Sequence, residues 1–267
     1  MGAGEAQDLA RFAGSATVEN VAERAWRIRK AVPADEIAPY CEQRRIDFAF
    51  MPEGRRFADL KLLAMDMDST LITIECIDEL GELAGCKSEI AAITAQAMRG
   101  ELDYPQSLRK RVGLLRGLPE AALAQVYEQR LKLTPGADEL IAACKRDGVK
   151  LLLVSGGFTF FTERLKARLA IDYTISNRLE VANGRLTGEV LGDVVDAQAK
   201  AARFAEVMKE LGAPREQTVA IGDGANDLAM MALAGTSIAF HAKPVVRAQA
   251  SCAISYCGLD AVLRLFE

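Results

Sequence analysis

Histidine is almost missing from this chain: His241 is the only one in 267 residues. That all but excludes a multi-histidine metal site or a histidine-based triad, and it pushes any chemistry toward carboxylates. The six cysteines are scattered with no C-x-x-C pair, which reads as small buried thiols in a reducing compartment rather than disulfides or a zinc site. No run approaches the roughly 18 apolar residues that a membrane span needs. The start, MGAGEAQDLARFAG, lacks the apolar core of a signal peptide, and Ala6 stands where myristoylation requires Ser or Thr. A cytoplasmic protein with no membrane partner is the expectation. No basic tract stands apart either: net charge is −4, and even the arginine-rich residues 1–60 hold ten acids against nine bases. A nucleic-acid partner is therefore not expected. A G-x-x-x-x-G-K-[ST] loop is absent, and GDGAND puts Asp227 where a dinucleotide fingerprint needs its third glycine, so both nucleotide cradles are excluded.

What is present is an ordinary globular composition, half hydrophobic and a quarter charged, in a chain long enough for one large domain or two smaller ones. Four apolar runs of strand length stand out: LKLLAMD at 60–66, VKLLLVSGG at 149–157, TVAIGDG at 218–224 and SIAF at 237–240. Long stretches of helical period separate them. This pattern predicts an α/β fold with a doubly wound parallel sheet covered on both faces. Residues 75–132 contain only helical pattern, broken at Gly85, at 100–105 and at 117–119, and read as an all-helical insertion after the first strand. LEVANGRLTGEV at 179–190 reads as a β-hairpin turning at Asn183-Gly184. Residues 1–59 look separate, with a helix expected around 17–31 and a strand at IDFAF, 46–50.

In such sheets the ligand site lies beyond the carboxyl ends of the strands. Three runs deliver polar clusters there: Asp66-Met-Asp68-Ser69, Ser155-Gly156-Gly157, and Asp223 through Asn226 and Asp227. Seen singly, each has a plain structural explanation as a helix cap or tight turn; three converging on one rim do not. Clustered carboxylates repel unless a hard cation sits among them, and magnesium prefers oxygen ligands with room for a phosphate oxygen. Ser155 and the amides of Ser69, Thr70, Gly156 and Gly157 would supply donors for the anion. One aspartate can then attack phosphorus while the other protonates the departing alkoxide and later deprotonates water.

These residues resemble the haloacid-dehalogenase superfamily of aspartate-nucleophile phosphatases. MDMDSTLITIECIDEL, MRGELDYPQSLRKRVGLL, LLLVSGGF and AIGDGANDLAMM together are similar to its phosphoserine phosphatase family, over about residues 60–265. The resemblance implies a magnesium-dependent hydrolase that releases L-serine and phosphate from O-phospho-L-serine through an aspartyl-phosphate, the last step of serine synthesis. It implies Asp66 as nucleophile and metal ligand and Asp68 as general acid/base with its main-chain carbonyl on the metal. Asp223 and Asp227 complete the metal site, Ser155 and Gly156 hold the phosphoryl group, Asn226 steadies the site, and Lys200 neutralises the phosphoryl group and nucleophile. Glu75 would meet the substrate ammonium and Arg111 its carboxylate, with Met98 and Tyr104 as pocket neighbours. Helical geometry also favours Arg111, which lies nearest the centre of the apolar stripe Leu108, Val112 and Leu115.

The implied organisation is a catalytic core at 60–74 and 133–267, a helical specificity cap at 75–132, and residues 1–59 as part of an amino-acid-binding ACT-like module too short to be complete. That last segment either packs on the core or pairs across a homodimer. Two other readings stay open. One keeps the chemistry but uses another small phosphomonoester, or transfers the phosphoryl group to homoserine. The other is a non-catalytic amino-acid-binding regulatory protein.

Overall fold

The computed structural model describes residues 1–15 and 17–267. Its N-terminal segment departs from the expectation. A helix, α1 (Ala3–Phe12), precedes an antiparallel hairpin of β1 (Val18–Ala22) and β2 (Ala25–Ile28), and a second helix, α2 (Ile37–Arg44), follows. The expected helix over 17–31 is therefore a hairpin. Trp26 and Ile28 alternate with Arg27 and Arg29, the period of a strand, and the turn carries Arg24 at φ 60°. The expected strand at 46–50 is not one either. The Asp47 carboxylate accepts the backbone N–H groups of Ser255, Tyr256 and Cys257 at 2.7, 3.0 and 2.9 Å. A side chain thus fixes this segment to the far end of the chain, and no ladder does. Leu9, Ala13, Ile37 and Cys41 form a small core of their own, and Arg27 donates to the Phe266 carbonyl at 2.6 Å.

The main sheet begins at β3 (Leu62–Asp66), whose five residues are all buried. Four helices are then inserted: α3 (Cys76–Leu83), α4 (Lys87–Met98), α5 (Tyr104–Gly113) and α6 (Ala121–Gln129). The Asp103 carboxylate accepts the Gln106 N–H at 2.7 Å and so fixes where α5 starts. The chain returns through α7 (Ala137–Asp147), β4 (Lys150–Phe158), α8 (Thr159–Leu169), β5 (Tyr173–Ala182) and β6 (Arg185–Leu191). It ends with α9 (Ala197–Glu210), β7 (Thr218–Gly222), α10 (Leu228–Leu233), β8 (Thr236–Phe240), α11 (Pro244–Arg247) and β9 (Cys252–Ile254).

Strand order is β6-β5-β4-β3-β7-β8-β9, parallel throughout except for the β5–β6 hairpin. Asn183 and Gly184 both have positive φ, 52° and 71°, as a two-residue hairpin turn requires. Alternate residues of β3 face opposite cores. Leu63 and Met65 join α7, α8 and the helices of the insertion; Leu62 and Ala64 join Phe204 and Val207 of α9 and Met230 and Met231 of α10. The chain winds from β3 through β4 to β5 on one side and then returns to place β7 on the other. The reversal opens a crevice at the carboxyl end of β3. The insertion is tied to the sheet edge, where Gly117 N–H donates to the Leu186 carbonyl of β6 and Leu186 N–H to the Leu118 carbonyl, at 2.8 and 2.9 Å. It reaches the crevice through Tyr104 of α5, whose hydroxyl donates to the Gly156 carbonyl at 3.1 Å. No described helix is long and apolar enough to cross a membrane.

Candidate active site

Three strand ends meet in the crevice. Asp66 closes β3, Ser155, Gly156 and Gly157 lie in the last turn of β4, and Asp223 follows β7 directly. Asp66, Asp223 and Asp227 each bring a carboxylate oxygen within 4.8 Å of the others. At that separation each ionised pair repels by about 3 kcal/mol with an effective dielectric of 20. Lys200, fully buried on the first turn of α9, answers part of this charge. Its Nζ lies 2.8 Å from Asp227 Oδ1 and 3.0 Å from Asp66 Oδ1. Burial opposes the ammonium, yet the Asp227 and Asp66 charges hold it above the ordinary lysine range.

One lysine does not balance the cluster. Burial, and after it the Asp227 charge, raises Asp66 well above the usual carboxylate range; the same two causes push Asp223 up to about 6. A donor set of three oxygen ligands with excess negative charge fits a hard divalent cation. Asp68 is placed differently. Its Oδ1 accepts the Cys76 N–H at 2.8 Å, and its Oδ2 lies 3.4 Å from Ser155 Oγ. Burial raises this carboxyl too, against the pull of the Cys76 amide. The two aspartates of DMD therefore point to different tasks, one at the carboxylate cluster and one beside the serine.

Ser155 Oγ accepts the Gly157 N–H at 2.8 Å, and Ser69 N–H is spent on the Ile74 carbonyl at 3.3 Å. Two of the expected amide donors are thus turned inward, because the tight loops must satisfy their own backbone first. Glycine is required at both cradle positions. A β-carbon on Gly156 would collide with the Tyr104 hydroxyl, and one on Gly157 would lie 2.7 Å from Asp68 Oδ2.

The insertion contributes the other wall. Tyr104, at the start of α5, donates its hydroxyl to the Gly156 carbonyl at 3.1 Å, and burial pushes it up to about 12. Arg111 is half-buried where Arg109, Lys110 and Arg116 are exposed, and its Nε donates only to the Ser107 carbonyl, at 3.4 Å. No carboxylate pairs with it among the described residues. Glu75 accepts from Ser69 Oγ at 2.7 Å. It is exposed to the cleft, so water softens its shift, but desolvation and then the Asp68 charge push it up to about 7. Met98 sits at the outer edge, 65 % exposed, with its sulfur 4.0 Å from Lys243 Nζ. Asn226 is half-buried in the loop between Asp223 and Asp227.

Asn177 belongs to this neighbourhood although the motifs do not include it. It is buried in β5, and its amide nitrogen donates to the Gly156 carbonyl at 2.8 Å. The available signal was a lone amide in the inward row Ile175, Asn177, Leu179. A separate groove of about 360 Å³ beside Phe158, Arg178 and Leu179 holds none of the clustered carboxylates.

Comparison with known proteins agrees with this geometry. A family model described as haloacid dehalogenase-like hydrolase matches residues 63–232. The chain is 54% identical over 217 residues to a phosphoserine phosphatase of Polaromonas sp., covering 79% of this chain and 92% of that protein. A crystal structure of a probable phosphoserine phosphatase from Vibrio cholerae, in unliganded form, superposes with a TM-score of 0.84 at 39% identity, covering 100% of this chain and 83% of that one. A second structure, of a phospho-aspartyl intermediate analogue of phosphoserine phosphatase, has a TM-score of 0.73 at 41% identity, covering 78% of this chain and 99% of that one. The chain belongs to the haloacid dehalogenase-like hydrolases and, within them, to the phosphoserine phosphatase family.

Proposed function

We propose that the protein hydrolyses O-phospho-L-serine to L-serine and phosphate with Asp66 as nucleophile, acting in the cytoplasm. The observation that carries this reading is the meeting of Asp66, Lys200 and the Ser155 turn in one buried crevice, with Asp68 beside the serine rather than in the carboxylate cluster.

An oxygen of Asp66 attacks phosphorus and the bond from phosphorus to the serine oxygen breaks. Asp68, as the acid, gives its proton to that departing oxygen. Asp68 then takes a proton from water, the water oxygen attacks phosphorus, and the bond to Asp66 breaks to release phosphate. Lys200 holds Asp66 in place and offsets charge that builds on the phosphoryl oxygens. Ser155 Oγ accepts from Gly157 and donates weakly to Asp68 at 3.4 Å, a long bond that its proton exchanges for a phosphoryl oxygen when substrate enters. Asp66, Asp223 and Asp227 would hold magnesium, which when bound would supply the positive charge that lets an anionic nucleophile approach an anionic phosphate. At the other wall Arg111, which no carboxylate pairs among the described residues, receives the substrate carboxylate, while Glu75 receives the ammonium.

Purified protein releases phosphate from phosphoserine in the presence of magnesium and stops when a chelator is added. Loss of phosphoserine from the preferred substrates in a panel of small phosphomonoesters, or diversion of the phosphoryl group to added homoserine, would remove the specificity assignment. The same assay checks Glu75 by its pH dependence. A carboxylate must be ionised to hold the ammonium, and in the free enzyme Glu75 loses its proton only near pH 7. The value of kcat/KM therefore falls as pH drops below about 7. Glu75→Gln lowers kcat/KM above pH 7 and flattens that fall; an unchanged profile in the variant contradicts the role.

A further inference from the structure

Four residues of β4 advance against only two of β5: Val154 opposes Ile175, and the next pair is Phe158 with Asn177. Ser155, Gly156 and Gly157 thus bulge out of the ladder, and the Gly156 carbonyl loses the strand partner it would otherwise have. Asn177 replaces it with a side chain. Its Nδ2 donates to the Gly156 carbonyl at 2.8 Å, a shorter bond than the 3.1 Å one from the Tyr104 hydroxyl to the same oxygen, and its Oδ1 accepts the Val195 N–H at 2.8 Å. The two partners fix the orientation of the amide, because only the nitrogen can donate and only the oxygen can accept.

Both ends of this bridge lead into the reactive centre. The Gly156 carbonyl and the Gly157 N–H belong to one planar trans peptide and point in opposite directions. Holding the carbonyl against Asn177 therefore aims the N–H at Ser155 Oγ, which it reaches at 2.8 Å. At the other end, Val195 precedes Asp196, whose Oδ1 accepts the Ala199 N–H at 2.9 Å at the start of α9, the helix that carries Lys200. Asn177 bonds neither Asp66 nor Lys200, and it meets Gly156 only at the carbonyl, an acceptor that offers nothing to a phosphoryl oxygen. We infer that Asn177 is a positioning residue: its one amide sets the peptide that orients Ser155 and ties that turn to the segment leading into the lysine helix. The inference rests on reading Ser155 as a phosphoryl ligand.

Asn177→Asp separates the two ends, since a carboxylate keeps the Val195 bond but turns an acceptor toward the Gly156 carbonyl. Asn177→Ser is the second variant, too short for either partner but leaving room for water. With magnesium-loaded enzyme, both lower kcat/KM for phosphoserine and weaken competitive inhibition by inorganic phosphate by about 10-fold, because the Gly156 carbonyl then keeps only the longer bond from the Tyr104 hydroxyl, at 3.1 Å, and the peptide can turn. In a Ser155→Ala background Asn177→Asp costs less than about 3-fold, because the hydroxyl it orients is gone. Equal losses in both backgrounds, or unchanged phosphate inhibition, overturn the inference. So does failure of both variants to fold, which would make Asn177 a folding requirement. If Ser155→Ala costs activity while Asn177→Asp does not, this inference alone fails; if Ser155→Ala is itself harmless, the phosphoryl-cradle reading falls and takes the inference with it.

Discussion

Asp66→Asn removes phosphoserine hydrolysis by about 10⁴-fold or more, the scale seen when a nucleophile is deleted and only binding and electrostatics remain. The substitution leaves the fold in place. The side-chain oxygen of asparagine can still accept the Met67 N–H that Asp66 takes at 2.7 Å, and Lys200 keeps Asp227 at 2.8 Å. Stability moves the other way from activity. The folded-state pKa of Asp66 is raised above its unfolded value, chiefly by burial and then by Asp227. Its ionised form therefore costs stability, and the cost grows as pH rises from the unfolded value toward the folded one. Asparagine removes that cost, so the metal-free variant melts at or above the temperature of the metal-free parent at pH 7. The rise in melting temperature produced by magnesium shrinks, because one oxygen ligand has lost its charge. Substantial turnover by Asp66→Asn would refute the nucleophile assignment.

Lys200→Met has the largest expected effect on the fold. Lys200 is fully buried between two carboxylates. Breaking such a pair from one side leaves the other charges unpaired and costs about 3–5 kcal/mol. Here the loss also restores the repulsion between Asp66 and Asp227. Chemical denaturation measures it directly, and magnesium recovers part of it by supplying positive charge to the same oxygens. Activity falls with stability, since the charge beside the phosphoryl group is gone even in the molecules that remain folded. Lys200→Arg does not restore either property, because a planar guanidinium is larger than the ammonium that this closed site surrounds. A Lys200→Met protein as stable as its parent would show that the buried pairing contributes little.

The parts of this molecule that sequence discloses are those governed by local chemistry. Strands β3, β4, β7 and β8 are continuous apolar runs because both their faces are covered, and each of the first three ends in a polar cluster that has no reason to be buried otherwise. The hairpin announces itself through Asn183-Gly184, since few other pairs tolerate two positive φ angles. The N-terminal segment hides its hairpin for the opposite reason. Its β1 and β2 are short and at least half-exposed, with one charged residue each, so no apolar run marks them, and the arginines around them have the look of a solvated helix face. IDFAF looks like a strand by composition, yet Asp47 decides its fate through contacts some 210 residues away.

The site divides along the same line. Asp66, Asp68, Ser155 and Asp223 stand at strand ends and can be found by position alone. Lys200 comes from mid-sequence helix, where it resembles any surface lysine until the fold buries it. Tyr104 and Asn177 converge on the Gly156 carbonyl from 52 residues before it and 21 after it, a meeting that no local pattern encodes. Met98, expected only through the family resemblance, lies at the rim and is largely exposed.

The central claim is that Asp66 carries the phosphoryl group during each turnover. Rapid acid quenching of the magnesium-loaded enzyme while it consumes phosphoserine, followed by mass analysis of its peptides, tests this most directly. The expected result is one phosphoryl group on the peptide containing Asp66, lost on treatment with hydroxylamine as an acyl phosphate is, and absent from Asp66→Asn. An active enzyme whose Asp66 peptide stays unmodified throughout turnover, or whose phosphoryl group sits on Ser69 or Ser155, would contradict it.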